Sequence, residues 1–460
     1  MVNDDARRVL VEVAQLAADH IERRRDDLVA APYDRVALRV EVEAFDFASP
    51  RDPAEVAATL FDLLRRTGIR TDHPRYFGLF NPPALTSAIA GDMVAATVNP
   101  QLAVWGHAPA AVEIERHLVS LFANRVWGDG AGAGTFTSGG SEANNTALLA
   151  ALARRYPEWA TRGVAALDRR PAIYVSAQAH LAWIKIARAA GLGSGAVKLV
   201  ETQDGLSLDG QTLEKAILGN PASDPVLVVA TAGTTAHGAV DDLSGIADVG
   251  RKHRAHVHVD AAWAGGVLLD PAHRHLLDGI DQADSVTIDP HKWLAVPMGA
   301  GLYLARDWTA LKTAFAVTTK FMPPAVADTL DPYTHSLQWS RRFTGAKLFL
   351  ALAALGLDGY AKMIEQQFAL GDRLRQSLAN DGWRIVNDTR LPLVCFAPDD
   401  AAHVVTIERE IAGAGEAWIS SVTLRGAPCL RACITGFETT EDDVDTLVAM
   451  LARARNRCAG

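Results

Sequence analysis

"VLVVATAGTTAHGAVDDLSGIADVGRKHRAHVHVDAA", residues 226–262, holds two β-branched runs with a helical stretch between them. The first run has no alternating polar side, so both of its faces must be covered, the condition of a parallel strand flanked by helices. The same alternation extends outward. "AIYVSA" (172–177) and "AVKLVE" (196–201) precede it, and "SVTIDP" (285–290) and "GLYLAR" (301–306) follow. Together these runs predict an α/β unit over residues 76–355 with a mostly parallel central sheet. Ligands on such sheets gather beyond the carboxyl ends of the strands. The polar residues just past these runs are therefore the candidates for chemistry.

Both flanks read differently. Val9, Leu10, Val13, Leu16, Ala17 and Ile21 have the spacing of an amphipathic helix, and "PAEVAATLFDLLRRTG" (53–68) predicts a second. Residues 1–75 thus form an N-terminal helical segment too small to own a core, expected to pack on the main domain or on another subunit. Residues 356–460 open with the helix "LDGYAKMIEQQFALGDRLRQSLAND" and continue through "WRIVND", "PLVCFAP", a helix near 402–413, "CLRACITG" and the terminal helix "EDDVDTLVAMLARARN". That order predicts a small α+β domain.

The bulk properties exclude several classes. A formal net charge of −9, with both signs scattered, lacks the basic stripe of a nucleic-acid binder. No apolar run approaches the ~20 residues of a membrane span. The opening "MVNDDARRVL" is acidic and amphipathic, unlike a signal peptide, so the expected location is the cytoplasm. Cys395, Cys429, Cys433 and Cys458 form no CxxC pair. They read as idle thiols in a reducing compartment, without a disulfide framework or a zinc site.

Three elements then suggest one chemistry. In "TFTSGGSEANNTALLAAL" (135–152) small residues precede a strong helix, so free amides and hydroxyls converge at a helix N-terminus suited to phosphate. The same residues also serve simply to start a helix. The preceding "GDGAGAG" (128–134) lacks the GxGxxG spacing and reads as a flexible connector. Asp260 ends the run "HVHVD" at the sheet's carboxyl edge, where it either caps the next turn or pairs with a cation such as a protonated pyridine nitrogen. His256 and His258 lack a third metal ligand and read as packing residues. Lys292, in "VTIDPHKWLAVPMGAG" (286–301), lies between apolar runs and a Gly-rich turn, where a lysine must be paired, deprotonated or covalently used. A desolvated amine is a nucleophile for a carbonyl. Phosphate cradle, strand-end Asp and activated Lys, in that order, are the parts required by pyridoxal 5′-phosphate.

With "IDPHKWLAVP", "HVDAAWAGG", "TSGGSEANNTAL", "AQAHLAWIKIARAAGL" and "VVATAGTTAHGAVDDL" in register, the chain resembles the group II pyridoxal-dependent amino-acid decarboxylases. That family includes the aromatic-L-amino-acid, glutamate and diaminobutyrate decarboxylases. The resemblance implies fold type I, pyridoxal 5′-phosphate as cofactor, an amino-acid substrate, and a homodimer with active sites at the subunit interface. It puts Lys292 at the Schiff-base lysine, Asp260 at the pyridine-nitrogen carboxylate and His180 at the histidine that stacks on the ring. Gly140 and Ser141 fall at the phosphate turn, Thr235 and Ala262 beside the ring, and His291 before the lysine. Asp289 stands where some relatives carry asparagine near the phosphate, and an acidic side chain there would be repelled unless turned away or protonated.

The chain departs from this pattern in "AFAVTTKFMPPAVADTLDPYTHS" (314–336), read as a loop from its prolines and lack of periodicity. The aromatic decarboxylases carry a proton-donating tyrosine there, and the matching position is Phe321. Either Tyr333, His335 or His180 returns the proton to Cα, leaving a simple decarboxylase, or the carbanion meets O2, as in the aldehyde synthases of this family. An aminotransferase or lyase of the same fold type is a further alternative, kept open by Arg431. Tyr76, Phe77, Phe80 and Trp105 fall in segments that line the substrate pocket in relatives and favour an aromatic substrate, or they are core. His107, Arg341 and Arg342 are the candidates for holding an acidic side chain instead.

Overall fold

The computed structural model describes residues 6–128, 130–202, 206–319, 322 and 326–459. The N-terminal segment contains α1 (Ala6–Arg23), strand β1 (Ala30–Ala31), α2 (Arg35–Glu43), α3 (Pro53–Arg66) and strand β2 (Gly68–Ile69), with β1 and β2 antiparallel. Asp34 and Asp52 cap α2 and α3 by accepting from the first free amides, and Pro53 takes the position that needs no donor. The helix α2 carried no signal beyond its cap. No residue of α1 or α2 is buried, and Leu10, Val11, Val36 and Val40 are exposed. Within the segment Arg70 pairs with Asp27 (2.8 Å) and Asp72 (2.9 Å), and ion pairs from Arg24 to Glu438 and from Arg25 to Asp443 (2.9 Å) tie it to the C-terminal region.

After α4 (Thr86–Val98) and α5 (Pro109–Trp127) the chain enters a seven-stranded sheet ordered β3-β9-β8-β7-β6-β4-β5. Its strands are β3 (Ala133–Thr137), β4 (Arg170–Ser176), β5 (Val197–Val200), β6 (Ser223–Thr231), β7 (His256–Asp260), β8 (Ser285–Ile288) and β9 (Gly301–Ala305). Pairs from β5 to β8 are parallel, and β9 runs antiparallel to both β8 and β3. Each run read from sequence forms a strand here. The correction concerns β3, which includes Ala133 and Gly134 of the presumed connector. Its composition hides it: a Cβ on Gly134 would lie 2.1 Å from the Tyr303 carbonyl oxygen, so the close approach of β3 to β9 needs glycine.

The two-residue period of β6 explains why the sheet is buried. Val228 and Ala230 join Phe122, Leu213 and Ile246 on one face, while Leu227 and Val229 join Leu148, Leu152, Trp183 and Ile186 on the other. Beyond the sheet, the helix Gly345–Asn380 breaks at Gly356 (φ 66°) and leads into a four-stranded antiparallel sheet, β10 (Arg384–Ile385), β11 (Leu393–Ala397), β12 (Ser420–Leu424) and β13 (Ala427–Cys433), ordered β10-β11-β13-β12. Val394, Phe396, Leu430 and Ala432 pack on the helices Val404–Ala414 and Glu441–Ala459, and the opposite face, including Cys395, Cys429 and Cys433, meets the main core. All four cysteines are free. Among the described residues no helix is long and apolar enough to cross a membrane.

Candidate active site

The parallel strands end on one edge, and a cavity of about 320 Å3 opens there. Thr231 and Asp260 are the last residues of β6 and β7, Asp289 and Lys292 follow β8, His180 follows β4, and Ser138 to Ser141 follow β3. The fold thus gathers Gly140, Ser141, His180, Thr235, Asp260, Ala262, Asp289, His291 and Lys292, widely separated in sequence, into one lining.

One end of the cavity suits an anion. The helix α6 (Gly140–Arg155) takes its first intrahelical bonds from Glu142 and Ala143 to the Gly139 carbonyl, so the amides of Gly140 and Ser141 are among those left over at a helix N-terminus. Glu142 accepts from Ser138 N (2.8 Å) and Oγ (2.7 Å), which fixes the turn, and Gln338 Nε2 donates to the same carboxylate at 2.9 Å. A Cβ on Gly140 would stand 2.9 Å from Asp289 Oδ2 and 3.3 Å from Ala262 Cβ, so only glycine keeps this cradle open. Asp289 is buried. Its Oδ2 lies 3.1 Å from Lys292 Nζ and its Oδ1 has no hydrogen-bond partner among the described residues.

The other end carries polar groups suited to a ring. Asp260 is buried, with Oδ2 accepting from Asn144 Nδ2 (2.8 Å) and Oδ1 from Ala262 N (3.2 Å). His180 is exposed in the cavity wall, and its Nδ1 accepts from Ala182 N at 3.1 Å, which leaves Nε2 to carry the proton of the neutral ring. His291 is buried beside Lys292, with Nδ1 donating to the Ala300 carbonyl (2.6 Å), and burial lowers its imidazole below the ordinary value. Phe80 stacks on Trp263 with ring centres 4.3 Å apart, and Trp263 stacks on Trp293 at 5.3 Å. Behind them Arg431, itself buried, donates to the carbonyls of Thr235 and Gly78 (2.6 Å to Gly78) and to Ser420 Oγ (3.0 Å). Those backbone bonds use the guanidinium structurally. A cradle of Gly139, Gly140 and Ser141 at the helix end, a buried carboxylate and an amine fit a phosphorylated pyridine aldehyde.

Not every expected residue reaches the cavity. Of the aromatic residues, Phe80 lines it. Tyr76 stacks on Trp418 (5.2 Å) and Phe77 is fully buried in the C-terminal core, where apolar bulk draws both. Trp105 donates from Nε1 to Glu113 (2.9 Å), and Tyr333 stacks on Trp339 (4.9 Å), away from Lys292. His335 and Arg341 line a separate cavity beside β3, with Arg341 paired to Glu115 at 2.5 Å. His107 meets Gln101 and Arg342 pairs with Asp92, both outside the site. Phe321 lies outside the described residues. His256 and His258 meet Ser285 and Asn144. Asn144, Trp263 and Met298 also line the cavity without having been singled out. Asn144 had a signal, being four residues past Gly140 on the same helical face.

The family described as "Pyridoxal-dependent decarboxylase conserved domain" matches residues 43–398. The chain is similar to the cysteine sulfinic acid decarboxylase of Mus musculus, 35% identical over 335 residues that cover 71% of this chain and 68% of that protein. The crystal structure of mouse CSAD superposes with a TM-score of 0.91 at 28% identity, covering 99% of each chain. That of Oryza sativa TDC with PLP and tryptamine gives 0.90 at 24% identity, covering 100% of this chain and 99% of that one.

Proposed function

Because the chain belongs to the pyridoxal-dependent decarboxylase family and is a pyridoxal-phosphate-dependent carboxy-lyase, we propose that it removes the α-carboxylate of an L-amino acid in the cavity around Lys292. The observation that carries this reading is the convergence of Lys292, Asp260, His180 and the Gly140 turn on one sheet edge.

In this reading Gly140 and Ser141 hold the cofactor's phosphate, Ala262 packs on its ring, His180 stacks over it and Thr235 borders it. Asp260 would pair with the ring nitrogen, and Lys292 would be the amine that bonds the cofactor's aldehyde. Bound pyridoxal 5′-phosphate supplies the sink for the electron pair left at Cα when CO2 departs. The protein's tasks are to keep the scissile carboxylate out of the ring plane, to exclude water and to return a proton. His180, with its proton on Nε2 and its ring in the cavity wall, suits the first task and is a candidate for the last.

A homodimer completes the assignment. The exposed Leu10, Val11, Val36 and Val40 give the N-terminal helices an apolar face that a second copy would cover. Trp105, Tyr333 and Trp339 gather on the chain's own surface: Tyr333 N donates to the Ala103 carbonyl and Trp105 N to Asp331. In a dimer with active sites at the interface they would face the partner's cavity, with Tyr333 the second candidate proton donor. Free thiols fit a reducing compartment, the cytoplasm.

For the side chain, Phe80 alone among the aromatic candidates borders Lys292's cavity in one chain, which leaves the aromatic reading dependent on the partner's Trp105. Similarity to cysteine sulfinic acid decarboxylase favours a second reading, a compact acidic side chain. The oxidative alternative rests on Phe321 alone, and the amine is the proposed product. A panel of aromatic and acidic L-amino acids, assayed together for CO2, amine, aldehyde and hydrogen peroxide, tests all of this. CO2 with equimolar amine supports decarboxylation, and peroxide matching aldehyde would refute it.

A further inference from the structure

The strand β7 puts His256, His258 and Asp260 on one face at two-residue spacing, and its parallel neighbour β8 sets Ser285 beside His258 and Thr287 beside Asp260. All of these side chains are buried. Their distances trace an unbroken line away from the cavity. Asn144 Nδ2 is 2.8 Å from Asp260 Oδ2, His258 Nε2 is 3.0 Å from Asn144 Oδ1, Ser285 Oγ is 2.8 Å from His258 Nδ1, and His256 Nε2 is 2.7 Å from the same Oγ.

The direction of every bond follows from its first member. An ionised carboxylate only accepts, so Asn144 must present its NH2 to Asp260 and its carbonyl oxygen to His258. His258 Nε2 must then carry a hydrogen, shared with Thr287 Oγ1 at 3.2 Å. Burial disfavours the charged form of both imidazoles, bringing His256 down to about 4 and His258 well below its ordinary value. A neutral His258 protonated on Nε2 has a lone pair on Nδ1, so Ser285 donates there and receives in turn from His256 Nε2–H. The groups around the line are the rings of Trp183 and Tyr303 and the Ser285 backbone against His258, the Tyr303 hydroxyl beside Ser285, and Asp284 and Arg154, which act on His256 with opposite sign.

We propose that Asn144, His258, Ser285 and His256 form a one-way hydrogen-bond relay, every donor aimed toward Asp260, that makes them positioning residues for the cofactor's ring nitrogen. Each donor polarises the next, so removing a distant link weakens the hold on the carboxylate charge. The proposal rests on Asp260 being the ring-nitrogen partner, but the tautomers it requires belong to the protein alone.

Two measurements on the full chain separate these claims. In cofactor-free protein with 15N-labelled histidine, long-range 1H–15N correlation, assigned through His256→Gln, is expected to find both rings neutral with hydrogen on Nε2 at pH 7. Hydrogen on Nδ1, or a protonated ring, in either histidine overturns the relay. In protein loaded with 15N-pyridine-labelled cofactor, Ser285→Ala is expected to move the pyridine resonance toward the unprotonated position. It should also weaken cofactor retention about three- to tenfold, the scale of one weakened charge-assisted hydrogen bond, and Ser285→Thr should restore both. An unmoved resonance in Ser285→Ala with unchanged retention overturns the positioning role. A parent protein whose pyridine nitrogen is unprotonated refutes the assignment of Asp260 and with it this coupling, while the histidine tautomers still decide whether the relay exists.

Discussion

Lys292 Nζ lies 3.1 Å from Asp289 Oδ2, three residues back on the same turn. The amine assigned to the cofactor aldehyde is thus paired with a carboxylate that also presses against the Gly140 cradle. A carboxylate there would repel a phosphate dianion. Asp289→Asn should therefore bind pyridoxal 5′-phosphate about tenfold more tightly, the order of one charge interaction at a partly solvated site. Titration of the cofactor-free protein by absorbance checks this, and equal or weaker binding would show that the carboxylate is turned from the phosphate once the cofactor is in place.

Lys292→Ala should leave no phosphopyridoxyl mass on the peptide containing residue 292 after borohydride treatment, whereas the parent acquires one. Loss of a covalent amine and its proton transfers should cut turnover by roughly 10³-fold or more. Peptide mass mapping beside single-turnover CO2 release would reveal a variant that keeps either property.

Arg431→Met should destabilise the protein by about 2–4 kcal/mol, because the buried Gly78 carbonyl and the part-buried Thr235 carbonyl lose their donor together. Arg431→Lys should recover less than half of this, since one ammonium cannot match a planar fork. Urea unfolding measures both. A change near zero would mean that water replaces the guanidinium.

Stability should fall with acid below the ordinary histidine range. His73, His256 and His335 are buried and lowered from 6.5 to about 4, in each case chiefly by desolvation. Between pH 6.5 and 4 the unfolded chain binds protons that these folded rings refuse. Stability is therefore complete above pH 6.5 and is lost as pH drops toward 4, by at most about 1.4 kcal/mol per pH unit for each ring. His73→Gln should flatten the slope of unfolding free energy between pH 6 and 5 by about one such increment. An unchanged slope would show that this ring is protonated in the folded state.

Val36→Glu together with Val40→Glu should shift sedimentation from dimer toward monomer, raising the dimer dissociation constant at least about tenfold by charging the apolar face of α2. Sedimentation velocity at low micromolar concentration reads this directly, and a parent that is monomeric there refutes the dimer.

Much of the architecture was legible because its signals are local. Continuous apolar runs such as 226–231 are buried on both sides wherever they occur, and the residues at their carboxyl ends meet because parallel strands end together. The edge strand β3 is hidden because its one glycine, Gly134, serves a close approach to β9 that only the folded neighbour reveals. Tyr76 and Phe77 fall in segments that line the substrate pocket in relatives, but neither segment nor residue type separates a pocket wall from a core, as the stacking of Tyr76 on Trp418 and the place of Phe77 in the C-terminal core show. The histidines of β7 were legible as an alternating pair, but their partners come from α6 and β8, more than a hundred residues upstream and almost thirty downstream.

The grip of Arg431 has a mechanical meaning. Its fork joins β13 of the small sheet to two separate stretches of backbone, at Gly78 and at Thr235 of the cavity lining. A swing of the small sheet as a rigid lever would have to tear both attachments at once. Motion that admits a substrate would therefore cost least in side chains and loops at the rim, with the floor beneath Phe80 left in place.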